Sequence, residues 1–312
     1  MANLNLKSLA ESQEVLTGGH RLCAGCGASI VIRQIMAASP DPVVVSCATG
    51  CLEVATTIYP FTAWKSPFIH SAFENSAATI SGAEAAYRSL KRQGKLDKEM
   101  KFIGLGGDGG TYDIGLQALS GAMERRHNMV YVCYNNEGYM NTGIQRSSAT
   151  PRGASTSTSP AGRVIPGKPM ARKDLTGIIA AHNVAYAAQA AAHNWRDLTR
   201  KARRAFEVDG PAFLNVLAPC PRGWRYPMED TVQMCRLAAD TCFWPLYEVD
   251  DGQWKVNYKP KEKKPLTDFL KPQGRFRHLF RPGNEHILEE MQAEIDQSWE
   301  RLLRMEECVS SG

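Results

Sequence analysis

The feature that most constrains this chain is a pair of polar motifs, each of which directly follows a short apolar segment. Residues 101–105 lead into Gly106-Gly107-Asp108-Gly109-Gly110, and residues 129–134 lead into Asn135-Asn136, 25 residues after Gly110. Both apolar segments predict buried strands. Between them, residues 111–126 carry apolar or small side chains at helical positions and end in two arginines, which suit the negative end of a helix. The pattern predicts a strand, a helix and a second strand.

In a parallel sheet, such a crossover brings the carboxyl ends of both strands to one edge, where open α/β sheets bind their ligands. Asp108 and Asn136 are therefore expected to lie side by side. Magnesium prefers oxygen ligands in octahedral geometry. The Asp108 carboxylate, the Asn136 amide oxygen and a backbone carbonyl near Gly138 would supply half of such a set, and two diphosphate oxygens and a water could complete it.

Gly107, Gly109 and Gly110 would let backbone N–H groups approach the phosphates without an intervening Cβ, and the following helix offers its positive end. The alternative is a glycine-rich turn beside an ordinary Asn-Glu-Gly turn. The two motifs at this spacing favour the magnesium-diphosphate site of a thiamine diphosphate enzyme.

The chain also has nine cysteines in 312 residues and no evident secretion signal, which points to metal binding or burial rather than disulfides. Cys23 and Cys26 form a Cys-x-x-Cys pair, Cys51 follows a glycine, and Cys220 precedes a proline as cluster ligands often do. Thiolates suit either zinc or an iron-sulfur cluster, and spacing alone leaves both open. A thiamine motif in the same chain favours one [4Fe-4S] cluster. Cys47 is an alternative ligand.

Three segments resemble a known family: GDGGTYDIGLQALSGAMERRH, YNNEGYMNTGIQRS and APCPRGW. They are similar to the thiamine-diphosphate-binding β subunit of pyruvate:ferredoxin oxidoreductase and related 2-oxoacid:ferredoxin oxidoreductases, and the resemblance runs from about Gly19 to His278. It implies that Asp108, Asn136 and the Gly138 carbonyl hold magnesium. Asn141 would lie at the reactive end of the cofactor. Many relatives have Asp in place of Asn135, which puts local hydrogen bonding in doubt more than metal binding.

The resemblance also implies that the four cysteines hold a proximal [4Fe-4S] cluster. The expected reaction is thiamine-dependent oxidative decarboxylation of a 2-oxoacid, by default pyruvate, giving acetyl-CoA and CO2, with electrons leaving through the cluster to ferredoxin. Asn141, Thr142 and Asp113 are candidates to face the substrate, and Glu53 and His70 are weaker ones. Cys51 and Glu53 are also counted among the residues expected around the cofactor.

Two absences predict partner subunits. The chain has no second thiamine-binding half with a marked activating glutamate, and no CxxCxxC run for further clusters. We expect an α subunit that completes the thiamine site, γ and δ or fused ferredoxin-like subunits, ferredoxin itself, and coenzyme A where an acyl product forms.

Other functions stay open at this point. The same chemistry on oxalate would yield only CO2 and need no coenzyme A, and branched 2-oxoacids or 2-oxoglutarate are further substrates. A non-redox thiamine decarboxylase or synthase would use the cysteines for structural zinc. An iron-sulfur scaffold with an empty cofactor site is a rival of another class.

The predicted fold class is α/β, with a mostly parallel sheet, helices on both faces and a C-terminal appendage. We expect an N-terminal arm (1–18), a cofactor-binding domain (19–221) and a C-terminal extension at a subunit interface (222–312). Within the extension, residues 244–258 predict a hairpin that turns at Asp251-Gly252, and residues 285–307 predict a terminal helix. The irregular stretch 142–173 is expected to be ordered at the active-site entrance or at an interface.

Composition narrows the cellular setting. A formal charge of +5 with scattered basic residues does not predict nucleic-acid binding. No apolar stretch approaches the roughly 18 residues of a membrane span, and the first 20 residues are too polar for a signal peptide. The expected location is the cytoplasm.

Overall fold

The computed structural model describes residues 5–310, and describes side chains for residues 5–308. Its eight strands are β1 (Val43–Ala48), β2 (Phe68–Ser71), β3 (Lys101–Gly107), β4 (Val130–Asn135), β5 (Tyr186–Ala191), β6 (Ala212–Leu217), β7 (Tyr247–Asp250) and β8 (Gln253–Val256). They form one sheet in the order β2-β1-β3-β4-β6-β5-β7-β8. Strands β1 to β6 run parallel, whereas β7 and β8 are antiparallel to their neighbours.

The α-helices of the described residues are α1 (Leu6–Ala10), α2 (Gly27–Ala37), α3 (Cys51–Thr56), α4 (Ser76–Arg92), α5 (Leu116–Glu124), α6 (Leu175–Ala180), α7 (Trp195–Glu207), α8 (Pro221–Trp224), α9 (Thr231–Asp240), α10 (Leu266–Leu270) and α11 (Glu285–Ser310). None of them is long and apolar enough to cross a bilayer.

Helices cover both faces of the sheet, because alternate strand residues enter two separate cores. On β4, Val132 and Tyr134 pack into the core that holds α2 and α7. Tyr131 and Cys133 point the other way, into the core that holds α4 and α5. Side chains alternate in this way along any strand, so a strand that is buried on both faces carries apolar residues at every position. The predicted α/β class is confirmed.

The register places the two polar motifs at one edge, as expected. Gly107 of β3 pairs with Tyr134 of β4, and Asn135 of β4 pairs with Leu217 of β6. Asp108, Asn136 and the segment that leads to Cys220 therefore leave the sheet together at the carboxyl ends of three adjacent strands.

The helix predicted over residues 111–126 begins differently from expectation. A π-helical turn, Gly109–Ile114, precedes α5, and the Gly115 N–H donates to the Gly110 carbonyl five residues earlier. A Cβ on Gly115 would lie 2.2 Å from that carbonyl oxygen, so glycine is required for this wider turn. Such turns occur frequently at functional sites.

The region after residue 221 begins with α8 and α9 and then adds two strands to the same sheet. The predicted hairpin is β7 and β8, joined at Asp251 and Gly252, which both have positive φ. The terminal helix α11 packs on its own chain through Ile287, Met291 and Leu302, which are buried. The N-terminal arm also contacts its own chain, because the Thr17 N–H donates to the Ala63 carbonyl. The domain boundaries and the interface role of the extension stay predictions.

Candidate functional site

A cleft opens at the carboxyl edge of the sheet, where the expectations place the cofactor. It is lined by Thr49, Gly50, Cys51, Phe73, Gly107, Gly109, Gly110, Tyr134, Asn136, Gly138, Tyr139, Met140, Asn141 and Thr142. The structure thus brings together the glycines, Asn136, Gly138, Asn141, Thr142 and Cys51, which come from separate parts of the sequence.

Asp108 lies beneath this cleft and is fully buried. One carboxylate oxygen, Oδ1, accepts the Asn136 backbone N–H at 3.1 Å, and the other, Oδ2, accepts the Ser147 hydroxyl at 2.5 Å. Burial raises the pKa of Asp108 to about 7, although these two hydrogen bonds act to lower it. The nearby charge of Glu137 also raises this pKa. A cation beside Asp108 would favour its charged form.

The Asn136 side chain supplies the second group of the expected metal site. One terminal atom of its amide lies 2.8 Å from the Gly138 carbonyl oxygen and 2.9 Å from Asp108 Oδ1. With nitrogen at this position, the amide donates to both oxygens. With oxygen at this position, three oxygens converge at spacings of this size, which is the donor set that a small divalent cation prefers. The residues therefore fit a magnesium ion.

The glycines around the cleft were expected to let backbone N–H groups approach phosphates. They also leave room for the aromatic and backbone groups that form the cleft walls. A Cβ on Gly109 would lie 2.3 Å from the Tyr139 ring, and the Tyr139 hydroxyl donates to the Gly109 carbonyl at 2.8 Å. A Cβ on Gly110 would lie 2.7 Å from the Phe73 carbonyl oxygen. Any side chain at these positions would therefore displace a wall of the cleft.

The four candidate cysteines lie within electrostatic range of one another. The pKa of Cys26 is raised to about 11 and that of Cys51 to about 12, mainly by burial and in part by the neighbouring thiols. The pKa of Cys220 is also raised, mainly by burial and partly by Cys23, which is exposed. Such a group of poorly ionised thiols suits a positively charged inorganic centre, which releases the protons as it binds.

The backbone explains how these distant cysteines meet. The N–H of Gly27, directly after Cys26, donates to the Pro219 carbonyl directly before Cys220. Among residues 5–308, no three His, Cys, Asp or Glu side chains converge as ligands of a single metal ion. Cys47, the alternative ligand, is fully buried on β1 in the core.

The substrate-facing candidates divide between two places. Asn141 and Thr142 line the cleft, whereas Asp113 lines a neighbouring open recess that shares Thr142 and Tyr139 with it. The Asp113 carboxylate accepts the Ser148 backbone N–H at 3.1 Å and 3.3 Å.

Glu53 and His70 lie behind the cleft wall rather than in it. The Glu53 carboxylate accepts the Thr57 hydroxyl at 2.7 Å and lies 3.5 Å from His70 Nε2. That His70 nitrogen is also 2.7 Å from the hydroxyl of Thr49, which does line the cleft.

Sequence reasoning missed the buried ion pairs that hold the second motif. Glu137, between Asn136 and Gly138, is fully buried, and its carboxylate lies 3.0 Å from Arg172 Nη1 and 2.6 Å from Arg275 Nη2. Arg275 is itself 2% exposed. The only sequence signal was a charged residue inside a conspicuous motif, because its partners are distant in the chain.

Trp224 links the Arg275 ion pair to the backbone of the second motif at Asn136. The Arg275 guanidinium lies 3.9 Å from the centre of the Trp224 ring, and the indole Nε1–H donates to the Asn136 carbonyl at 2.7 Å.

Ser147, which donates a hydrogen bond to Asp108, was also missed by sequence reasoning. It comes from the segment 142–173, which Lys168 holds in place by donating to the carbonyls of Ser148, Thr150 and Ala171.

Comparisons with known proteins show the family of this chain. Residues 48–216 match the family of the thiamine pyrophosphate enzyme, C-terminal TPP binding domain. Pyruvate synthase subunit PorB of Thermotoga maritima is 51% identical, and the match covers 98% of each chain. The chain belongs to the β subunits of the 2-oxoacid:ferredoxin oxidoreductase family.

Other members of this β-subunit family differ in the substrate named for them. Pyruvate synthase subunit PorB of Methanocaldococcus jannaschii is 50% identical, with 91% of this chain and 95% of that one covered. Ketoisovalerate oxidoreductase subunit VorB of Pyrococcus furiosus is 39% identical, and the match covers 98% of this chain and 97% of that one. The predicted family is confirmed.

A solved structure shares the fold of this β subunit. It is 2-oxoglutarate:ferredoxin oxidoreductase from Magnetococcus marinus with 2-oxoglutarate, coenzyme A and succinyl-CoA bound. The TM-score is 0.54 at 20% identity, and the match covers 76% of this chain and 81% of that one.

Asn135, where the resemblance put local hydrogen bonding in doubt, has partners for both ends of its amide. Its Nδ2 donates to the Tyr112 hydroxyl at 2.9 Å, and its Oδ1 accepts the Glu137 backbone N–H at 3.0 Å. The amide therefore supplies both a donor and an acceptor at a fully buried position.

Replacing Arg275 by methionine should destabilise the protein, because it leaves the buried Glu137 carboxylate with one partner. We expect the free energy of unfolding to fall by about 3 kcal/mol, the low end for breaking a buried ion pair, since Arg172 remains. The exposed pair of Arg301 with Asp174 provides the control, and Arg301→Met should cost less than about 1 kcal/mol. Equal losses in chemical denaturation of both variants would show that the buried pair has no special role.

Proposed function

We propose that this chain is the cofactor-bearing β subunit of a 2-oxoacid:ferredoxin oxidoreductase that acts on pyruvate. The observation that supports this most directly is one cleft that is lined by Asn136, Gly138 and Cys51, with Asp108 Oδ1 beneath it, 2.9 Å from the Asn136 amide. An oxidative decarboxylase of this class needs its organic cofactor and its first electron acceptor close together.

In this proposal, the Asp108 carboxylate, the Asn136 amide oxygen and the Gly138 carbonyl hold magnesium, and the glycine backbone around Gly107 and Gly109 receives the diphosphate. Thiamine diphosphate supplies an electron sink for decarboxylation of the 2-oxoacid when it is bound. Ser147 keeps the Asp108 carboxylate oriented through its 2.5 Å hydrogen bond.

Residues of this chain also orient the substrate and exclude water. Asn141 and Thr142, at the mouth of the cleft, provide polar groups for the substrate oxygens. Asp113 acts from the adjacent recess, where Ser148 fixes its carboxylate. The Tyr139 and Phe73 rings close one side of the cleft against water.

Cys23, Cys26, Cys51 and Cys220 would hold a [4Fe-4S] cluster, which supplies one-electron acceptance. The four thiols come from three separate parts of the chain, and the other three raise the pKa of Cys51, which supports one shared inorganic centre. Cys51 lines the cofactor cleft, and Cys23 is exposed. Electrons would therefore enter on the cleft side and leave towards a ferredoxin-like partner on the surface.

We further propose that partner subunits complete the enzyme in the cytoplasm. The relatives are named as subunits of pyruvate synthase and of ketoisovalerate oxidoreductase. An α subunit would complete the thiamine site, γ and δ or fused ferredoxin-like subunits would carry electrons onward to ferredoxin, and coenzyme A would accept the acyl group. Identities of 51% and 50% to pyruvate synthase subunits favour pyruvate over oxalate and other 2-oxoacids.

Loss of the Asp108 carboxylate should abolish magnesium-dependent cofactor binding. We expect Asp108→Ala to reduce thiamine diphosphate affinity at least about 100-fold, because a charged metal ligand is removed. Asp209→Ala is the control. This exposed carboxylate lies just before the amino end of β6, whereas the cleft lies at the carboxyl ends of the strands. Isothermal titration with and without magnesium measures both, and retained affinity in Asp108→Ala would contradict the assignment.

The thiol assignment predicts a coloured iron protein. Anaerobically purified protein should contain about four iron and four sulfide per chain, as a single cubane requires, and absorb in the visible range. Cys220→Ser should lose most of the iron, whereas Cys308→Ser, at an exposed thiol of α11, should retain it. A colourless protein with stoichiometric zinc would instead support the non-redox thiamine decarboxylase.

Substrate choice is tested with the assembled complex and a panel of 2-oxoacids. We expect ferredoxin reduction to be fastest with pyruvate and to require coenzyme A, because the acyl group must be transferred before the next turnover. Oxalate is the informative control, since its oxidation gives only CO2 and needs no acyl acceptor. Fast, coenzyme A-independent turnover of oxalate would overturn the pyruvate assignment.

A further inference from the structure

Tyr134 is the next-to-last residue of β4, lies at the wall of the cleft and is 1% exposed. A Cβ built on Gly50 would lie 2.7 Å from its hydroxyl oxygen, and one built on Gly107 would lie 3.4 Å from it. Both glycines line the cleft. The hydroxyl therefore reaches the cleft between two stretches of backbone that carry no side chain.

This hydroxyl has no hydrogen-bond partner among the residues whose side chains the structure describes. Other buried tyrosines differ in this respect. The Tyr112 hydroxyl accepts a hydrogen bond from Asn135, and the Tyr186 hydroxyl donates to Glu248 at 2.6 Å. Burying a hydroxyl without a partner is unfavourable, and such groups are uncommon in folded proteins. An acceptor atom on a molecule bound in the cleft would satisfy this hydroxyl.

Two acceptors are compatible with this position, a thiol sulfur and an oxygen of a bound ligand. Burial raises the pKa of the phenol, the charges of Cys47, Cys51 and Asp108 raise it further, and the nearby Leu52 backbone N–H lowers it. The Leu52 N–H is itself a hydrogen-bond donor, so it cannot accept the phenol hydrogen. Even so, the Cys51 sulfur does not accept a hydrogen bond from it. The glycine backbone beside the hydroxyl is instead typical of a surface that receives an anion.

We propose that the Tyr134 hydroxyl donates a hydrogen bond to an anionic oxygen of the diphosphate group bound in this cleft. This inference rests on the function proposed above. Magnesium then anchors the diphosphate from the Asp108 side, and a neutral phenol anchors it from the β4 side. Before the ligand binds, the site carries an unsatisfied donor, which stabilises the bound form relative to the free one.

The test uses the full chain purified with its accompanying subunits and freed of magnesium and cofactor. Magnesium with inorganic pyrophosphate, and separately magnesium with thiamine diphosphate, are titrated into wild type and Tyr134→Phe. A hydrogen bond to a charged acceptor predicts a rise in Kd of about 10- to 100-fold for both probes. The ligand-free unfolding midpoint should stay the same or rise, because the variant removes an unsatisfied group.

Tyr131→Phe is the matched control. Tyr131 lies on the same strand, is also buried, and packs into the opposite core. Its hydroxyl contacts Thr111 at 3.4 Å rather than the cleft. Both affinities should be unchanged in this variant.

The outcomes distinguish the proposed function from the proposed Tyr134 hydrogen bond. Failure of wild type to bind thiamine diphosphate with magnesium overturns the proposed function and this inference with it. If wild type binds and Tyr134→Phe matches it for both probes, only the inference fails. Weaker binding of thiamine diphosphate with unchanged binding of pyrophosphate would move the acceptor away from the diphosphate. A lower ligand-free midpoint would reveal a partner within the protein and would also overturn the inference.

Discussion

The buried carboxylate of Glu137 is the group on which the rest of the cleft depends. It lies between Asn136 and Gly138, and it is paired with Arg172 and Arg275. An unpaired carboxylate is too costly to bury, so the two arginines together stabilise the position of this loop. The geometry of the cleft is therefore a joint product of β4, the irregular segment 142–173 and the chain after residue 222.

The same site concentrates negative charge where a cation is proposed. Asp108 and Glu137 are both fully buried, and each is stabilised differently, by a hydroxyl and an N–H in the first case and by two guanidinium groups in the second. The thiols of Cys26 and Cys51 also lie close to other candidate thiols, and both burial and this proximity raise their pKa values. Cys51 lines the cleft and belongs to the thiol group, so the two proposed redox sites share a wall.

Much of the local structure follows from the periodicity of side chains. Both strands that carry the polar motifs, the hairpin at Asp251-Gly252 and the terminal helix occur where expected. The π-helical turn over Gly109–Ile114 was missed, because it depends on a backbone approach at Gly115 that no apolar pattern encodes. Asp113 belongs to this turn, and it lines a neighbouring recess rather than the cleft.

The sequence by itself determined which chemical groups end each strand: glycines and a carboxylate after β3, amides after β4 and a thiol after β6. These groups lie at one edge because the strands pair in parallel, and the strand–helix–strand pattern of the sequence predicts parallel pairing. Only the tertiary structure decided which distant groups meet, such as Arg275 with Glu137, or Ser147 with Asp108. Such contacts depend on strand order and on the burial of charge, and neither leaves a periodic trace in the sequence.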